Sequence, residues 1–307
     1  MKYVLAIIFL SLLPGGYLFS QAKADSAAVA EKPEITDKPV KFSWESGYLI
    51  GQQTSKISPK NTFESVIQHK FGSVNNGRSD LFGIMAPGAN VRLAFDYVIL
   101  KNFQIGYGLT KNNMYSDFNA KLNILQQKTE SMPISLTLYG DVAIDGRSSA
   151  VFDTLYYNYA NPSKTYGYRF SNRLSYYAEA FISRKMNDHI SLQAGVSISH
   201  YNTVITGMDH DRVGVNFGGR LKVSPQGSII FTYDHPLNII NISEGQAVQP
   251  EPNLSFGYEV STGSHAFQIY MGTTSSILPQ DYMMNNQNKI QGKNFSIGFV
   301  ITRLWSF

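Results

Sequence analysis

Residues 190–200 read Ile190-Ser191-Leu192-Gln193-Ala194-Gly195-Val196-Ser197-Ile198-Ser199-His200. From Ile190 to Ile198 every second side chain is apolar, and those between are small or polar. Neighbouring side chains on an extended chain point to opposite faces, so this stretch predicts a strand with one oily face and one wet face. The same alternation sets Ala89, Val91, Leu93, Phe95 and Tyr97 against Asn90, Arg92, Ala94 and Asp96. It sets Val213, Val215, Phe217, Gly219 and Leu221 against Gly214, Asn216, Gly218, Arg220 and Lys222. A further instance sets Leu254, Phe256, Tyr258 and Val260 against Ser255, Gly257 and Glu259. In these strands the second face is small, polar or charged.

Applied to the whole chain, the template predicts about twelve strands. They span Thr62–Phe71, Ala89–Tyr97, Asn102–Thr110, Asp117–Gln126, Met132–Ile144, Asn172–Ser183, Ile190–His200, Val213–Val223, Ser228–Tyr233, Asn253–Ser261, Ser264–Met271 and Lys293–Phe307. Their connections alternate between short turns and longer loops, so all the short turns are expected at one end. A soluble periplasmic β-sandwich that binds a ligand would show the same alternation, but a Greek key has no reason to sort its loops this way. An even strand number with short turns on one side and long loops on the other is the anatomy of an outer-membrane barrel. The predicted fold is therefore all-β, a closed antiparallel up-and-down transmembrane β-barrel. The physical reason is that a bilayer offers no water to unpaired backbone groups, and a closed barrel leaves none.

The N-terminus reads as an address. Lys2, an apolar run from Val4 to Leu13 and a break at Pro14-Gly15-Gly16 have the form of a secretory signal peptide. Cleavage fits after Ser20 or after Ala24. The expected division is a signal peptide at 1–24, a flexible lead-in and possible plug at 25–60, and the barrel at 61–307. The plug expectation rests on residues 42–60, placed to fold back into the lumen. The resulting localisation is the outer membrane, with its lipid and the barrel assembly machinery as partners.

Composition narrows the function classes. The chain has 307 residues, 13% aromatic and 16% charged. Ordinary soluble proteins carry roughly 25% charged residues. With no Cys, a disulfide framework, a thiolate metal site and a Cys nucleophile are excluded. A net charge of +4 is too small to suggest a nucleic-acid partner.

Several stretches resemble an uncharacterised Bacteroidetes family of outer-membrane β-barrels, the domain-of-unknown-function family 5777. They are Thr62-Phe63-Glu64-Ser65-Val66-Ile67-Gln68-His69-Lys70-Phe71-Gly72, Asn90-Val91-Arg92-Leu93-Ala94-Phe95-Asp96-Tyr97, Ile105-Gly106-Tyr107-Gly108, Asn172-Arg173-Leu174-Ser175-Tyr176, Thr262-Gly263-Ser264-His265-Ala266-Phe267-Gln268 and Phe295-Ser296-Ile297-Gly298-Phe299. The resemblance runs from about residue 42 to residue 307. It implies barrel placement in the outer membrane and carries no substrate or catalytic residue. A terminal strand ending in Trp305 and Phe307 also resembles the signal read by the assembly machinery.

The wet face supplies the candidate functional residues. Arg92, Asp96, Lys121, Asp141, Glu179, Arg220, Lys222 and Glu259 are predicted to line the lumen. Their balanced charge predicts cross-barrel salt bridges and a narrow or plugged interior, because a selective pore needs a ring of one sign. Arg303 interrupts the oily face of the last strand and is expected to snorkel. His69 is expected to be a hydrogen-bonded structural residue, and Asp209-His210-Asp211 a solvated loop. No cofactor, metal or catalytic residue is expected. The function expected is a narrow channel for small polar solutes or a closed scaffold; a lipid-acting barrel enzyme is the alternative.

Overall fold

The computed structural model describes residues 37–41, 43–155, 168–204, 208–239, 242 and 249–306. The expected signal peptide, residues 25–36 and 42 of the lead-in, and Phe307 lie outside the described residues.

A short hairpin comes first, β1 (Tyr48–Leu49) and β2 (Gln52–Gln53). Twelve longer strands follow: β3 (Thr62–Ser73), β4 (Asn90–Leu100), β5 (Phe103–Thr110), β6 (Tyr115–Leu125), β7 (Ser135–Ile144), β8 (Leu174–Lys185), β9 (Ile190–Tyr201), β10 (Asp211–Lys222), β11 (Gly227–Pro236), β12 (Asn253–Ser261), β13 (His265–Gly272) and β14 (Ser296–Ser306). Two short helices, α1 (Ala150–Leu155) and α2 (Pro279–Asn285), lie in connections.

Each long strand pairs antiparallel with its chain neighbours, and β14 pairs with β3 to close the barrel. All backbone ladders are therefore satisfied without an edge, as a bilayer demands. Connections after even-numbered strands from β4 to β12 leave one rim, where the chain enters β3 and ends β14. Connections after odd-numbered strands from β3 to β13 leave the other rim. The sorting by length has an exception: the link 111–114 on the long-loop rim is tighter than the turn 126–134 opposite.

The two faces follow the alternation. Leu93, Phe95, Tyr97, Ile105, Tyr107, Phe118, Leu192, Val196, Ile198, Phe217, Phe256 and Tyr258 stand exposed on the outer face. Arg303 shares this face, its guanidinium 3.6 Å from the centre of the Trp305 ring. His69 also points outward, stacked on Phe299 at 5.1 Å and beside Phe71 at 4.3 Å. Its Nδ1 has no hydrogen-bond partner among the described residues, which corrects the expected hydrogen-bonded role: the ring packs as an aromatic.

The inner face is less uniformly polar than the sequence pattern suggests. Val66, Ala94, Ile230, Tyr270 and Val300 form a buried apolar patch within it, and residues outside the barrel strands cover that patch.

Candidate functional site: a filled lumen

The chain approaches the barrel along its short-turn rim. Val40 N donates to Gln127 O at 2.9 Å, and Thr129 N to Lys38 O at 3.0 Å. Asp37 is held in this edge pairing by Ser131, whose hydroxyl donates to it and pulls its carboxyl down to about 2. Beyond this anchor, the residues around the β1–β2 hairpin are buried. Trp44, Tyr48, Leu49 and Ile50 lie on the apolar patch of Val66, Ala94, Ile230 and Val300. Burying these side chains is favourable wherever they leave water, so the patch gives the hairpin an oily seat in an otherwise polar lumen.

The hairpin tip is conformationally strained. Ile50 has φ +58, a left-handed conformation that is a genuine outlier for a β-branched residue. Such strain persists only where surroundings over-determine it. Here Ile50 N donates to Gln268 Oε1 at 2.8 Å, and Gln268 Nε2 donates to Tyr48 O and to Glu259 Oε2, both at 2.8 Å. One glutamine of β13 thus clamps two backbone groups of the hairpin and a wall carboxylate.

Other wall residues complete the seat. Tyr48 Oη donates to Asp96 Oδ2 at 3.0 Å; burial and the Asp96 charge push the Tyr48 phenol up. Gln52 Nε2 donates to Asp234 Oδ1 at 2.7 Å. Gln193 Nε2 donates to Gln53 O at 2.9 Å, and Lys121 Nζ to Gln53 Oε1 at 3.1 Å. Asn123 Nδ2 donates to Ser55 O at 2.8 Å, and Ser46 Oγ to Thr302 Oγ1 at 3.3 Å. Nearer the short-turn rim, Arg220 donates to Glu45 Oε1 at 2.9 Å and to Glu259 Oε1 at 3.0 Å.

The β13–β14 connection fills the lumen from the opposite rim. α2 begins at Pro279, whose fixed φ and missing N–H suit a first helical position. Gln280 Nε2 donates to Asp141 Oδ1 at 2.8 Å. Asp281 accepts from Tyr201 Oη and, at 3.0 Å, from Asn285 Nδ2; burial nevertheless pushes its carboxyl above the usual carboxylate range. Met283 packs with Tyr139, Tyr177 and Phe181, and Leu278 with Tyr115 and Ala143. From β3, Lys70 Nζ donates to Thr274 O at 3.1 Å and lies 5.2 Å from the Tyr282 ring centre.

The two fillings meet. A Cβ at Gly51, on the hairpin tip, would lie 2.1 Å from Tyr282 Oη, so a larger residue there would displace the Tyr282 ring. Their seam, bordered by Tyr48, Gln53, Arg92, Glu179, Leu278 and Tyr282, keeps a cavity of about 20 Å³. That is room for about one water molecule. Above α2 a vestibule of about 490 Å³ faces the long-loop rim, with Tyr115, Arg147, Arg173, Tyr201, Asp281 and Asn285 among its lining. Arg173 lies 5.0 Å from the ring centres of both Phe152 and Tyr168, and Arg147 pairs with Asp145.

The predicted lumen residues take distinct places. Arg92, Asp96, Lys121, Asp141, Glu179, Arg220 and Glu259 are buried inside, whereas Lys222 is half-buried at the end of β10. Within this set the ion pair formed is Arg220–Glu259, between strands two apart. The expected salt bridges across the barrel are corrected: the wall charges bond instead to the hairpin, to α2 or along the wall. A barrel of this strand number is too wide for side chains to meet across it, so inserted chain does the bridging. Glu179, for instance, accepts from Asn216 Nδ2 at 2.6 Å and from Tyr177 Oη at 3.2 Å.

Further charges on the wet face follow the same parity. Glu64 and Lys70 share the phase of Gln68, and Asp117 that of Lys121; all three are buried. Arg92 Nε donates to Asp117 Oδ1 at 3.0 Å, crossing over β5 at Gly108. A Cβ at Gly108 would lie 2.6 Å from both groups, so this glycine makes way for the ion pair. The hairpin's contacts had no sequence signal, because nothing in a short, aperiodic segment says which wall it will meet.

Among the described residues no cluster of three His, Cys, Asp or Glu side chains could hold a metal ion. In the Asp209-His210-Asp211 segment, Asp211 meets His200 Nδ1 at 2.8 Å and His210 Nδ1 lies 2.6 Å from Tyr201 O. Trp305 is exposed on the outer face near the short-turn rim, its Nε1 3.4 Å from Ser65 Oγ.

No curated protein matches the chain. Among solved structures, the chain is similar to a KdgM porin, with 6% identity, a TM-score of 0.43, and coverage of 80% of this chain and 99% of that one. It is similar to the COG4313 outer membrane channel from Pseudomonas putida F1, at 11% identity and a TM-score of 0.47, covering 82% and 97%. It is also similar to LpxR from Salmonella typhimurium, at 8% identity and a TM-score of 0.36, covering 80% and 100%. Residues 44–305 match the family described as a membrane bound beta barrel domain (DUF5777), and the chain belongs to that family.

Proposed function

We propose that this outer-membrane β-barrel is a gated conduit for small polar solutes, closed at rest by the hairpin and α2. The even-stranded closed barrel, its oily outer face and its family place it in the outer membrane. The observation that carries the gating is the seam: two inserted segments meet inside a polar lumen and leave between them a cavity with room for about one water molecule. Much of the hairpin's hold consists of side-chain hydrogen bonds, each with a net value of about 1 kcal/mol because water replaces it. A plug so seated can leave a wet lumen without stranding its partners. The vestibule above α2 is where a solute from the long-loop side waits.

Catalysis is no part of this proposal. Ser264 Oγ lies 3.0 Å from His265 Nδ1, but these are chain neighbours on an exposed turn. Among the described residues no carboxylate hydrogen-bonds that imidazole, and a nucleophile's base needs such an orienting group.

Single-channel recording in planar bilayers tests the proposal. The full chain gives brief openings, and a variant lacking 44–58 gives long, steady ones. The chain has no Cys, so Ser46→Cys with Thr302→Cys can tie the hairpin to β14. Oxidation of that pair abolishes openings, and reductant restores them. Equal steady conductance in all forms overturns the gate. Silence of every form, including one that also lacks 277–287, makes the barrel a closed scaffold.

A further inference from the structure

The long-loop rim is chemically uneven. In barrel order β13, β14, β3, β4, β5 and β6, it carries the ends of the connections 273–295, 74–89 and 111–114. The 74–89 loop displays Leu81 (52% exposed), Phe82 (50%), Ile84 (42%) and Met85 (71%). Leu81 and Phe82 have φ of +52 and +58, successive left-handed residues that turn an oily pair outward. An exposed cluster of this kind on one loop marks an interaction surface.

The loop is fastened to the strand ends. Gly72 N donates to Gly83 O at 2.9 Å and Val74 N to Phe295 O at 2.8 Å. Ser73 Oγ donates to Lys293 O at 2.7 Å. Below these anchors lie the outward rings of His69, Phe71 and Phe299, the upper edge of the lipid-facing belt. The oily loop thus continues that belt.

Bases surround it. Arg78 is exposed within the loop, Lys293 is exposed beside it, and Lys111 Nζ donates to Ala89 O at its base, at 2.8 Å. Among the described residues none of the three forms an ion pair. The loop's acid, Asp80, accepts from Gly83 N at 2.8 Å and from Asn76 Nδ2 at 3.0 Å. Apolar side chains flanked by such cations match the interface of an anionic lipid, with acyl chains below and phosphate above.

We propose that this sector of the rim binds anionic lipid, seating headgroup phosphate between Arg78, Lys111 and Lys293 while Leu81, Phe82, Ile84 and Met85 enter the acyl boundary. Among the described residues, the opposite sector around Asp145, Arg147, Asp209 and Asp211 mixes both signs of charge.

Because the chain has no Cys, Phe82→Cys carries a single nitroxide label in the full protein. In phosphatidylglycerol-containing vesicles the label is accessible to oxygen and shielded from a water-soluble nickel chelate. In phosphatidylcholine alone the shielding weakens. Adding Arg78→Gln, Lys111→Gln and Lys293→Gln removes the difference and lowers retained phosphatidylglycerol by about fivefold per base, as measured by native mass spectrometry. Nickel access as free as in solution, in both vesicles, overturns the proposal and makes the loop a protein-docking surface. Equal shielding in both vesicles, unmoved by the charge changes, overturns the phosphate seat.

Discussion

The hairpin and α2 fill one lumen from opposite ends, but they are fixed by different means. The hairpin's hold reaches around the wall, through Gln268, Asp96, Asp234, Gln193, Lys121, Asn123 and Thr302. Its tip carries strain at Ile50, which this clamp helps to hold. α2 has fewer polar wall bonds, chiefly Asp141 and Tyr201, and relies on Leu278 and Met283 against aromatic rings. Methionine is flexible and fills irregular gaps, so this seat tolerates small shifts. The contrast separates a plug registered by hydrogen bonds from a cap seated on apolar rings.

The largest expected effect is at the clamp. Gln268→Leu leaves Ile50 N–H and Tyr48 C=O buried without that partner, and each such group costs about 1–3 kcal/mol. We expect a total of about 2–5 kcal/mol in urea unfolding from lipid vesicles, with longer channel openings. A loss below about 0.5 kcal/mol, a typical surface-substitution effect, would break the distinction between the two fillings.

A smaller loss is expected on the α2 side. Met283→Ala removes a side chain buried with Tyr139, Tyr177 and Phe181. Core Met→Ala changes cost roughly 2–5 kcal/mol, and a seat that tolerates small shifts should fall near 2 kcal/mol. The same unfolding measurement decides; a loss exceeding that of Gln268→Leu would reverse the ranking.

The smallest effect is one of pH. Burial raises the Asp281 carboxyl above its unfolded value, which lies near 3.9. The neutral form therefore docks better: its contribution to α2 seating is full below about pH 4 and is lost as pH rises through the folded pKa. Limited proteolysis at 277–287 should quicken across that rise. Asp281→Asn should remove this dependence; an unchanged profile would show that another group sets it.

Much of the barrel was legible because lipid imposes a rule on every spanning strand. Ile190 to Ile198 and Leu254 to Val260 show the period of two that an oily outside and a wet inside require. The expected and observed bounds of Asn253–Ser261 coincide. Where the rule weakens, reading becomes harder. Val66, Ile230 and Val300 put apolar groups on the inner face, because the hairpin covers them. His69 could not be assigned a partner from its place in the chain, since stacking on Phe299 depends on a pairing between the first and last barrel strands.

The strands, their two faces and the closed architecture are written in the order of residues, because alternation and turn spacing are local consequences of a bilayer outside and water within. Which charges meet depends on the assembled barrel. Arg92 reaches Asp117 over Gly108, Gln268 clamps Ile50, and Gly51 abuts Tyr282 through contacts between distant parts of the chain. Such contacts follow from strand register and from the path of inserted segments, neither of which leaves a periodic mark in the order of residues.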